Sequence, residues 1–404
     1  MTFRHGFAAL LVGLVLAACQ TLPPIVEARP APPLRLPSPL PSVPFATQSS
    51  AGQLRPVDWP ALASWNAQSV SGAWPAFLQS CDALRNQAIW QTICATARAV
   101  DPKDASAQQR FFEENFLPYS VASADNSLDG TITGYYEPVI KGDRIPSEGA
   151  RFPVYGVPND LIAVDMGSLY PELKNLRLRG RLEGNKLVPY YSRAEIESGD
   201  GRFEAQPIAW AEDPVELFFL QIQGSGLIEL PNGERMHVGY ADQNGHPYRS
   251  IGRLLVERGE LKLEESSMQG IKDWARRNPD KLPELLASNP SYVFFRELPN
   301  ELSGPLGALG VPLTVGRSIA VDPKFIPLGA PVFLSTTEPL SNQALDRLVM
   351  AQDTGGAIAG PVRADLFCGV GPGAGELAGR MKQKGRLWVL LPKDYPLQSA
   401  TRSP

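Results

Sequence analysis

Residues 350–367 read Met350-Ala-Gln-Asp353-Thr-Gly-Gly-Ala-Ile-Ala-Gly-Pro-Val-Arg-Ala-Asp365-Leu-Phe, and they place two carboxylates at the edges of a glycine-rich turn. A third acid, Asp322, lies upstream in Val321-Asp-Pro-Lys-Phe-Ile-Pro-Leu-Gly329. Short apolar strands that end in Asp beside Gly-Gly are typical of a small barrel that presents acids at its mouth. This arrangement suits the chemistry of glycosidic bonds.

The chain from about Gly304 onward alternates short strands with turns. We predict strands at Arg317–Val321, Pro331–Leu334, Arg347–Ala351, Asp365–Cys368 and Arg386–Leu391. One helix, from Glu376 to Lys384, is predicted before the last strand, with Gly385 as its C-terminal glycine. Five or six strands within about ninety residues predict a small barrel.

The rest of the chain alternates between helical and strand-like patterns. Residues 57–120 are predicted to be helical, because large apolar side chains recur there at helical spacing. β-branched and aromatic residues then predict strands across 131–191, a helix begins at Asp213-Pro-Val-Glu216, and a hairpin follows at 227–238. Residues 250–300 return to a helical pattern. The fold class is therefore mainly β with flanking helices.

The first residues resemble a bacterial lipoprotein signal. An apolar run from Phe7 to Leu16 is too short to span a bilayer, and it leads to Ala17-Ala-Cys19. We expect cleavage before Cys19 and lipidation of its thiol, with an ordinary secretory signal as the alternative. Gln20 favours the inner face of an outer membrane. Residues 20–50, rich in proline, are interpreted as a linker that packs no core.

Composition excludes several classes of function. The formal charge of −4 gives no basic surface for nucleic acid. The chain has three histidines, none in a recognised metal motif, so we expect neither metal nor cofactor. Cys81 and Cys94 could form a disulfide or remain buried thiols, and Cys368 is predicted to be a core residue on a strand.

Five motifs together resemble the membrane-bound lytic murein transglycosylase A family. They are Gly134-Tyr-Tyr-Glu-Pro138, Phe219-Leu-Gln-Ile-Gln-Gly-Ser-Gly226, Tyr240-Ala-Asp-Gln-Asn-Gly-His-Pro-Tyr-Arg-Ser-Ile-Gly-Arg253, Val321-Asp-Pro-Lys-Phe-Ile-Pro-Leu-Gly329 and Asp353-Thr-Gly-Gly-Ala-Ile. They occur in the family's order. The terminal module also resembles the 3D domain, named for three aspartates, which here are Asp322, Asp353 and Asp365.

The resemblance implies a double-psi β-barrel, a second β-domain inserted between its segments, and a groove between the two. The boundaries expected from it are a signal peptide at 1–19, a linker at 20–50, a helical N-terminal part of the barrel domain at 51–138, an inserted β-domain at 139–248, and a C-terminal part at 249–392 with the 3D domain at about 305–392. It further implies a peptidoglycan lytic exotransglycosylase. Such an enzyme cleaves the β-1,4 bond between N-acetylmuramic acid and N-acetylglucosamine and leaves a 1,6-anhydromuramyl end.

One carboxyl can serve this reaction twice, because the attacking C6 hydroxyl belongs to the sugar itself. Matching the motif places the catalytic aspartate at Asp365, with Asp353 and then Asp322 as alternatives. Asp353 could instead cap the following turn, and Asp322 could stabilise the turn before Pro323. An acid that starts protonated near neutral pH needs a raised pKa, which partial burial or a neighbouring negative charge would provide.

The sequence departs from the family at Arg363-Ala364, where a His-Phe pair often precedes the acid. Alternation along a strand would turn Arg363 and Asp365 to the same face. An inward-pointing arginine would then lower the pKa of Asp365.

Sugars offer apolar faces to aromatic rings and hydroxyl and acetamide groups to polar side chains. The candidate substrate-binding residues are Tyr135, Tyr136, Glu137, Gln221, Gln223 and Ser225. The alternative for the two tyrosines is plain strand alternation, with one ring in the core.

Peptidoglycan glycan strands are the expected partner, together with the outer membrane through the lipid on Cys19, and proteins of cell-wall synthesis are candidate partners. Two other functions stay open. A non-catalytic wall-binding lipoprotein would bind glycan without releasing anhydro products. A conventional hydrolase would need a second carboxylate placed for water, for which Asp353 is the candidate.

Overall fold

A computed structural model describes residues 52–170, 173 and 178–397, which belong to one compact unit. The signal peptide, Cys19 and the proline-rich linker lie outside the described residues. The strands are β1 (Gly52–Pro56), β2 (Phe116–Ser123), β3 (Gly130–Glu137), β4 (Val139–Asp143), β5 (Phe152–Tyr155), β6 (Ile162–Ala163), β7 (Arg179–Glu183), β8 (Lys186–Pro189), β9 (Pro207–Ala211), β10 (Ser225–Glu229), β11 (Arg235–Gln243), β12 (Val293–Glu297), β13 (Ser318–Val321), β14 (Pro331–Thr337), β15 (Ala344–Asp353), β16 (Arg363–Val370) and β17 (Lys382–Pro392). The helices are α1 (Ala67–Val70), α2 (Trp74–Leu84), α3 (Ala88–Ala97), α4 (Ala105–Asn115), α5 (Arg193–Glu197), α6 (Pro214–Gln223), α7 (Ile251–Glu257), α8 (Met268–Arg277), α9 (Leu282–Ala287) and α10 (Gly371–Arg380). Within this part of the chain, no helix combines the length and apolar character needed to cross a bilayer.

The larger sheet closes on itself as a barrel. Its strands follow the order β17, β14, β15, β13, β16 and β3, and β3 pairs back onto β17. β13 runs parallel to β15, and β16 runs parallel to β3, whereas the other pairs in this ring are antiparallel. The predicted mainly β fold, with a barrel and flanking helices, is confirmed.

β17 closes the ring because it is long enough to pair with β3 along its first residues and with β14 further along. Lys382–Gly385 pairs with β3, and the residues that follow pair with β14 and β2. The predicted helix up to Lys384 with a cap at Gly385 is wrong, since α10 ends at Arg380 and Gly385 lies in the strand. A Cβ at Gly385 would lie 2.5 Å from a side-chain carbon of Ile132, so glycine permits close packing there.

The N-terminal helices cover one side of the barrel. α2 and α4 contribute buried rings of Trp74, Phe77, Phe111 and Phe112 that pack edge to face. Cys81 and Cys94 form a disulfide that joins α2 to α3, with an S–S distance of 2.10 Å. The helical prediction for 57–120 is wrong from Phe116 onward, where the chain pairs with β1 and β17 as β2.

The insert is built on a second sheet with the order β12, β11, β10, β4, β9 and β5, beside a small sheet of β6, β7 and β8. The predicted helix α6 is confirmed, and the Asp213 side chain accepts hydrogen bonds from its first backbone N–H groups. The predicted hairpin is also confirmed as β10 and β11. The helical prediction for 250–300 is wrong at Val293–Glu297, because these buried residues pair with β11 as β12.

Candidate active site

Two of the three aspartates lie on either side of one barrel strand. Ala320 in β13 pairs with Asp365 in β16 and also with Asp353 in β15. Neighbouring strands are about 4.8 Å apart, so the backbones of the two acids are roughly 10 Å apart. The register between β13 and β15 shifts between Ile319 and Ala320, so Asp353 meets Ala320 at an irregularity of the sheet, and Ala320 between the two acids is small and uncharged. The strand register thus brings Asp353 and Asp365 to the same part of the barrel, on either side of Ala320.

Asp365 is partly withdrawn from water on the face of β16. Its Oδ1 accepts a hydrogen bond of 2.5 Å from the Thr133 hydroxyl, which lies opposite in the parallel strand β3. Burial raises the pKa of Asp365, while the hydrogen bond from Thr133 and the charge of Arg363 lower it, and burial prevails. Among the ion pairs formed within the described residues, none includes Asp365.

Arg363 lies on the same side of β16 as Asp365, as alternation predicts. Its guanidinium donates to the Thr133 hydroxyl at 2.8 Å and to the Ala364 carbonyl at 2.6 Å. The arginine does lower the pKa of Asp365, but the effect of burial is larger and the net shift is upward. An arginine at this position is therefore compatible with a protonated acid.

Asp353 accepts hydrogen bonds on both oxygens. Oδ1 accepts from the backbone N–H groups of Ala308 at 2.9 Å and Thr354 at 2.8 Å, and Oδ2 accepts from the Tyr135 hydroxyl at 3.0 Å. The hydrogen bond from Thr354 N is the turn cap that the sequence suggested as the alternative role of Asp353. These bonds orient the Asp353 carboxylate and connect it to β3.

The Tyr135 side chain reaches from β3 to Asp353 of β15. Its ring packs against Phe367 at 5.4 Å between centroids, and its hydroxyl points to Asp353. Burial, followed by the charge and hydrogen bond of Asp353 and the charge of Asp365, raises the pKa of Tyr135 far above its ordinary value. The tyrosine is therefore a neutral hydrogen-bond donor at this site.

Asp322 is buried at the end of β13, where it holds two loops together. Oδ1 accepts from Lys324 N at 3.1 Å, as an Asx turn does, and Oδ2 accepts from Gly360 N at 2.9 Å. The side chain is 8 % exposed. It thus anchors the glycine-rich turn between β15 and β16.

Three of the residues predicted to bind sugar are buried. The Tyr136 ring is packed between Gly375 of α10 and Met268 of α8. The Glu137 carboxylate forms a pair with His237 at 2.6 Å. Gln221 accepts a hydrogen bond from Arg193 inside the insert. All three side chains contact protein groups in this structure.

Two further candidates, Gln223 and Ser225, lie at the end of α6 and are partly exposed. Gln223 Oε1 accepts from Tyr136 N at 3.2 Å, which ties the helix end to β3. Ser225 opens β10 opposite Gly239. Gly224 between them has a φ of 80° and ends the helix in the left-handed conformation that favours glycine.

A cavity of about 730 Å³ lies between the insert and the start of α10. Its wall includes Lys141, Glu212 and Glu216 from the insert and Val370 and Gly371 from the barrel. None of the three aspartates lines it. The register of the barrel strands therefore sets the positions of the acids. The cavity is formed separately, where the insert approaches α10.

Sequence reasoning missed Thr133 as a partner of the acid. It lies two residues before Tyr135, on the same strand and on the same face. Period-two alternation from the Tyr135 motif could have suggested it, but the pairing to Asp365 depends on a long-range parallel register. Over the described ranges no cluster of three His, Cys, Asp or Glu side chains is arranged to hold a metal.

Comparison with known families identifies two modules in the chain. The MltA specific insert domain matches residues 131–296, and the 3D domain matches residues 317–391. Membrane-bound lytic murein transglycosylase A of Escherichia coli K12 is 35 % identical over 279 residues, covering 67 % of this chain and 68 % of that protein. The Vibrio cholerae protein of the same name is 33 % identical over 286 residues, with 69 % and 70 % covered.

Solved structures agree with these matches. MltA from Neisseria gonorrhoeae is 42 % identical with a TM-score of 0.76, covering 90 % of this chain and 98 % of that one. A membrane-bound lytic murein transglycosylase from Agrobacterium tumefaciens is 31 % identical with a TM-score of 0.73, covering 84 % and 98 %. Escherichia coli MltA with bound chitohexaose is 28 % identical with a TM-score of 0.61, covering 86 % and 96 %.

Proposed function

The chain belongs to the membrane-bound lytic murein transglycosylase A family, and on this premise we propose that it cleaves peptidoglycan glycan strands without water, using Asp365 as acid and then as base. The bond cleaved is the β-1,4 link between N-acetylmuramic acid and N-acetylglucosamine. The product carries a 1,6-anhydromuramyl end.

The observation that carries this proposal is the environment of Asp365. Burial raises its pKa, and its Oδ1 oxygen is held by Thr133. A carboxyl with a raised pKa can be protonated near neutral pH and can also take a proton back, which general acid–base catalysis requires of one group used twice.

The reaction balances with this one carboxyl. Asp365 gives its proton to the glycosidic oxygen as the C1–O4 bond breaks, and that oxygen leaves with the bonding electron pair. The C6 hydroxyl oxygen of the muramic acid residue forms a new bond to C1, and its proton passes to the Asp365 carboxylate. The tethered hydroxyl replaces a bound water because it is already near the reacting carbon.

Asp353 gives little support to a conventional hydrolase. A hydrolase needs its second carboxylate free to activate water or attack the sugar. Both oxygens of Asp353 instead accept hydrogen bonds, from Ala308 N and Thr354 N and from the Tyr135 hydroxyl. We assign Asp353 to orienting Tyr135 and the turn, and Asp322 to anchoring the turn at Gly360.

The glycan is proposed to lie over the barrel face between the two modules. A related protein from Escherichia coli was solved with chitohexaose, a polymer of N-acetylglucosamine, which supports a saccharide ligand. Gln223 and Ser225 are the partly exposed members of the predicted contact set at the edge of the insert. The buried Tyr136, Glu137 and Gln221 would act by shaping this edge.

Attachment to the outer membrane through a lipid on Cys19 is also proposed. The relatives from Escherichia coli and Vibrio cholerae are named membrane-bound, which agrees with it. Cys19→Ser is expected to move the protein from the membrane to the soluble fraction, and an unchanged distribution would oppose the proposal.

The function is tested by digesting purified glycan strands with the protein in water labelled with oxygen-18. We expect anhydromuramyl products by mass spectrometry, with no labelled oxygen at the new ends. Labelled reducing ends would indicate a hydrolase, and binding without any product would indicate a non-catalytic wall-binding protein.

A further inference from the structure

A chain of hydrogen bonds lies directly behind the carboxyl of Asp365. Arg363 Nη2 is 2.8 Å from Thr133 Oγ1, and Thr133 Oγ1 is 2.5 Å from Asp365 Oδ1. Arg363 and Asp365 share one face of β16, and Thr133 pairs with Asp365 from β3. We call this arrangement the Arg363–Thr133–Asp365 chain.

The chemistry of the guanidinium fixes the direction of the bond between Arg363 and Thr133, and the structure has the Thr133 hydroxyl donating to Asp365 Oδ1. A guanidinium has only donors, whereas a threonine hydroxyl has one hydrogen and two lone pairs. Thr133 therefore accepts from Arg363, and its single hydrogen points to Asp365 Oδ1. Once Asp365 has become a carboxylate, the same orientation supplies a charge-assisted hydrogen bond.

We infer that Arg363 and Thr133 are positioning residues that commit Asp365 Oδ1 to accepting a hydrogen bond, so that Oδ2 carries the proton exchanged with the sugar. The inference rests on the proposed role of Asp365. The orientation of the Thr133 hydroxyl is the same when Asp365 acts as acid and as base, so neither half of the reaction requires it to turn. Preorganised groups of this kind lower the cost of reaching the transition state.

The charged and titratable groups around Asp365 agree with this assignment. Arg363 supplies a permanent positive charge from the same strand. Tyr135 from β3 is a neutral donor to Asp353 of β15. Burial raises the pKa of Cys368 to about 12, so its thiol is neutral. β13 contributes only Ala320 opposite the acid. On β17, Lys382 pairs with Thr133, so the charged groups around Asp365 are Arg363, Asp353 and Lys382.

Thr133→Val tests the chain, because valine keeps the shape and removes the hydroxyl. Loss of a hydrogen bond to a charged group predicts a fall in kcat of roughly tenfold to hundredfold, with KM changed less than about twofold. The alkaline limb of the pH–rate profile is expected to move to higher pH, because Thr133 lowers the pKa of Asp365. Thr133→Ser keeps the hydroxyl and is expected to restore most of the rate, and Thr131→Val on the same strand is the matched control.

A double-mutant cycle with Arg363→Met tests whether the arginine acts through the threonine. Alone, Arg363→Met is expected to lower kcat several-fold and to move the alkaline limb to higher pH. In the Thr133→Val background, it is expected to change kcat by less than about twofold, since its partner is already missing. Additive losses in kcat, or an increase in KM alone, would show a direct substrate contact and overturn the inference.

Two outcomes separate this inference from the proposed function. If Asp365→Asn is inactive while Thr133→Val has the wild-type rate and pH profile, the hydrogen-bond chain is irrelevant to catalysis and only this inference fails. If Asp365→Asn keeps its activity, the proposed acid is wrong and the inference fails with it. A loss of folding stability in Thr133→Val without movement of the alkaline limb would show a purely structural role and would also overturn it.

Discussion

Oε1 of Glu137 lies 2.6 Å from Nε2 of His237, in the protein interior where the chain leaves the barrel for the insert. Glu137 is the last residue of β3, and β4 of the insert begins at Val139. The backbone oxygen of His237 also accepts from Leu298 N at 2.8 Å, one residue after β12 of the insert ends. His237 thus contacts both connections between the two modules.

His237→Leu is expected to destabilise the protein strongly, because it leaves the Glu137 carboxylate buried without its partner. Leaving a buried acceptor without its hydrogen-bond partner lowers the free energy of unfolding by about 1–3 kcal/mol, measured by urea denaturation. Glu297→Gln is the control, since its pair with Arg144 is about half exposed and is expected to contribute less than about 1 kcal/mol. Equal, small losses for both variants would contradict the role of His237.

Asp365→Asn is expected to abolish cleavage while leaving glycan binding intact. An amide can neither give a proton to the glycosidic oxygen nor take one from the C6 hydroxyl, and general acid–base groups contribute about a hundredfold to ten-thousandfold. Turnover is measured by release of anhydro products, and affinity by titration with chitohexaose. Asp125→Asn, at an exposed turn, is the control and is expected to behave as wild type. A residual rate above a few per cent would assign the acid to another residue.

Asp365 is also expected to destabilise the fold above its unfolded-state pKa. Its pKa in the folded state is raised above the ordinary value of 3.8, so the folded state binds a proton that the unfolded state has released. The contribution of Asp365 to stability is then fully present below pH 3.8 and is lost as pH rises through the folded-state pKa. Asp365→Asn should therefore be more stable than wild type at pH 7, and the difference should vanish in acid. Denaturation curves across this pH range check it, and a variant less stable at pH 7 would oppose it.

The elements found correctly from the sequence are those with strong local signals. The N-cap at Asp213 and the turn between β10 and β11 are set by residues close in the chain. The barrel strands after Ser318 are short apolar runs bounded by Gly and Pro. Local propensity and hydrophobic pattern suffice for such elements.

The elements missed depend on pairing between distant segments. β12 follows three helices, and its sequence alone predicts a further helix. It forms a strand because it pairs with the edge of β11. Gly385 resembles a helix cap, yet the neighbouring Ile132 side chain requires glycine there for packing. The approach of Asp353 and Asp365 across Ala320 likewise depends on two long-range registers. Tertiary context overrides propensity in each case.

Tyr135→Phe is expected to weaken the site without abolishing catalysis. It removes the hydroxyl that donates to Asp353, while the bonds from Ala308 N and Thr354 N remain. A hydrogen bond to a charged group predicts a loss of about 1.5–3 kcal/mol in the free energy of unfolding and a fall in kcat below about tenfold. Tyr170→Phe, at a residue that is 44 % exposed, is the control. Inactivation as complete as in Asp365→Asn would instead give Tyr135 a direct role in the reaction.

The Cys81–Cys94 disulfide is expected to stabilise the helices that cover the barrel. It joins α2 to α3 across a separation of 13 residues, and closing a loop of this size restricts the unfolded chain. The double variant Cys81→Ala and Cys94→Ala should lose about 2–4 kcal/mol of unfolding free energy. Reductant should lower the stability of the wild type by a similar amount and leave the double variant unchanged, because the remaining Cys368 of the described chain is a free thiol. The barrel keeps its own closed ring of strands, so activity at 25 °C should persist in the double variant while its midpoint in urea falls. Equal sensitivity of both proteins to reductant would show that the stability does not come from this bond.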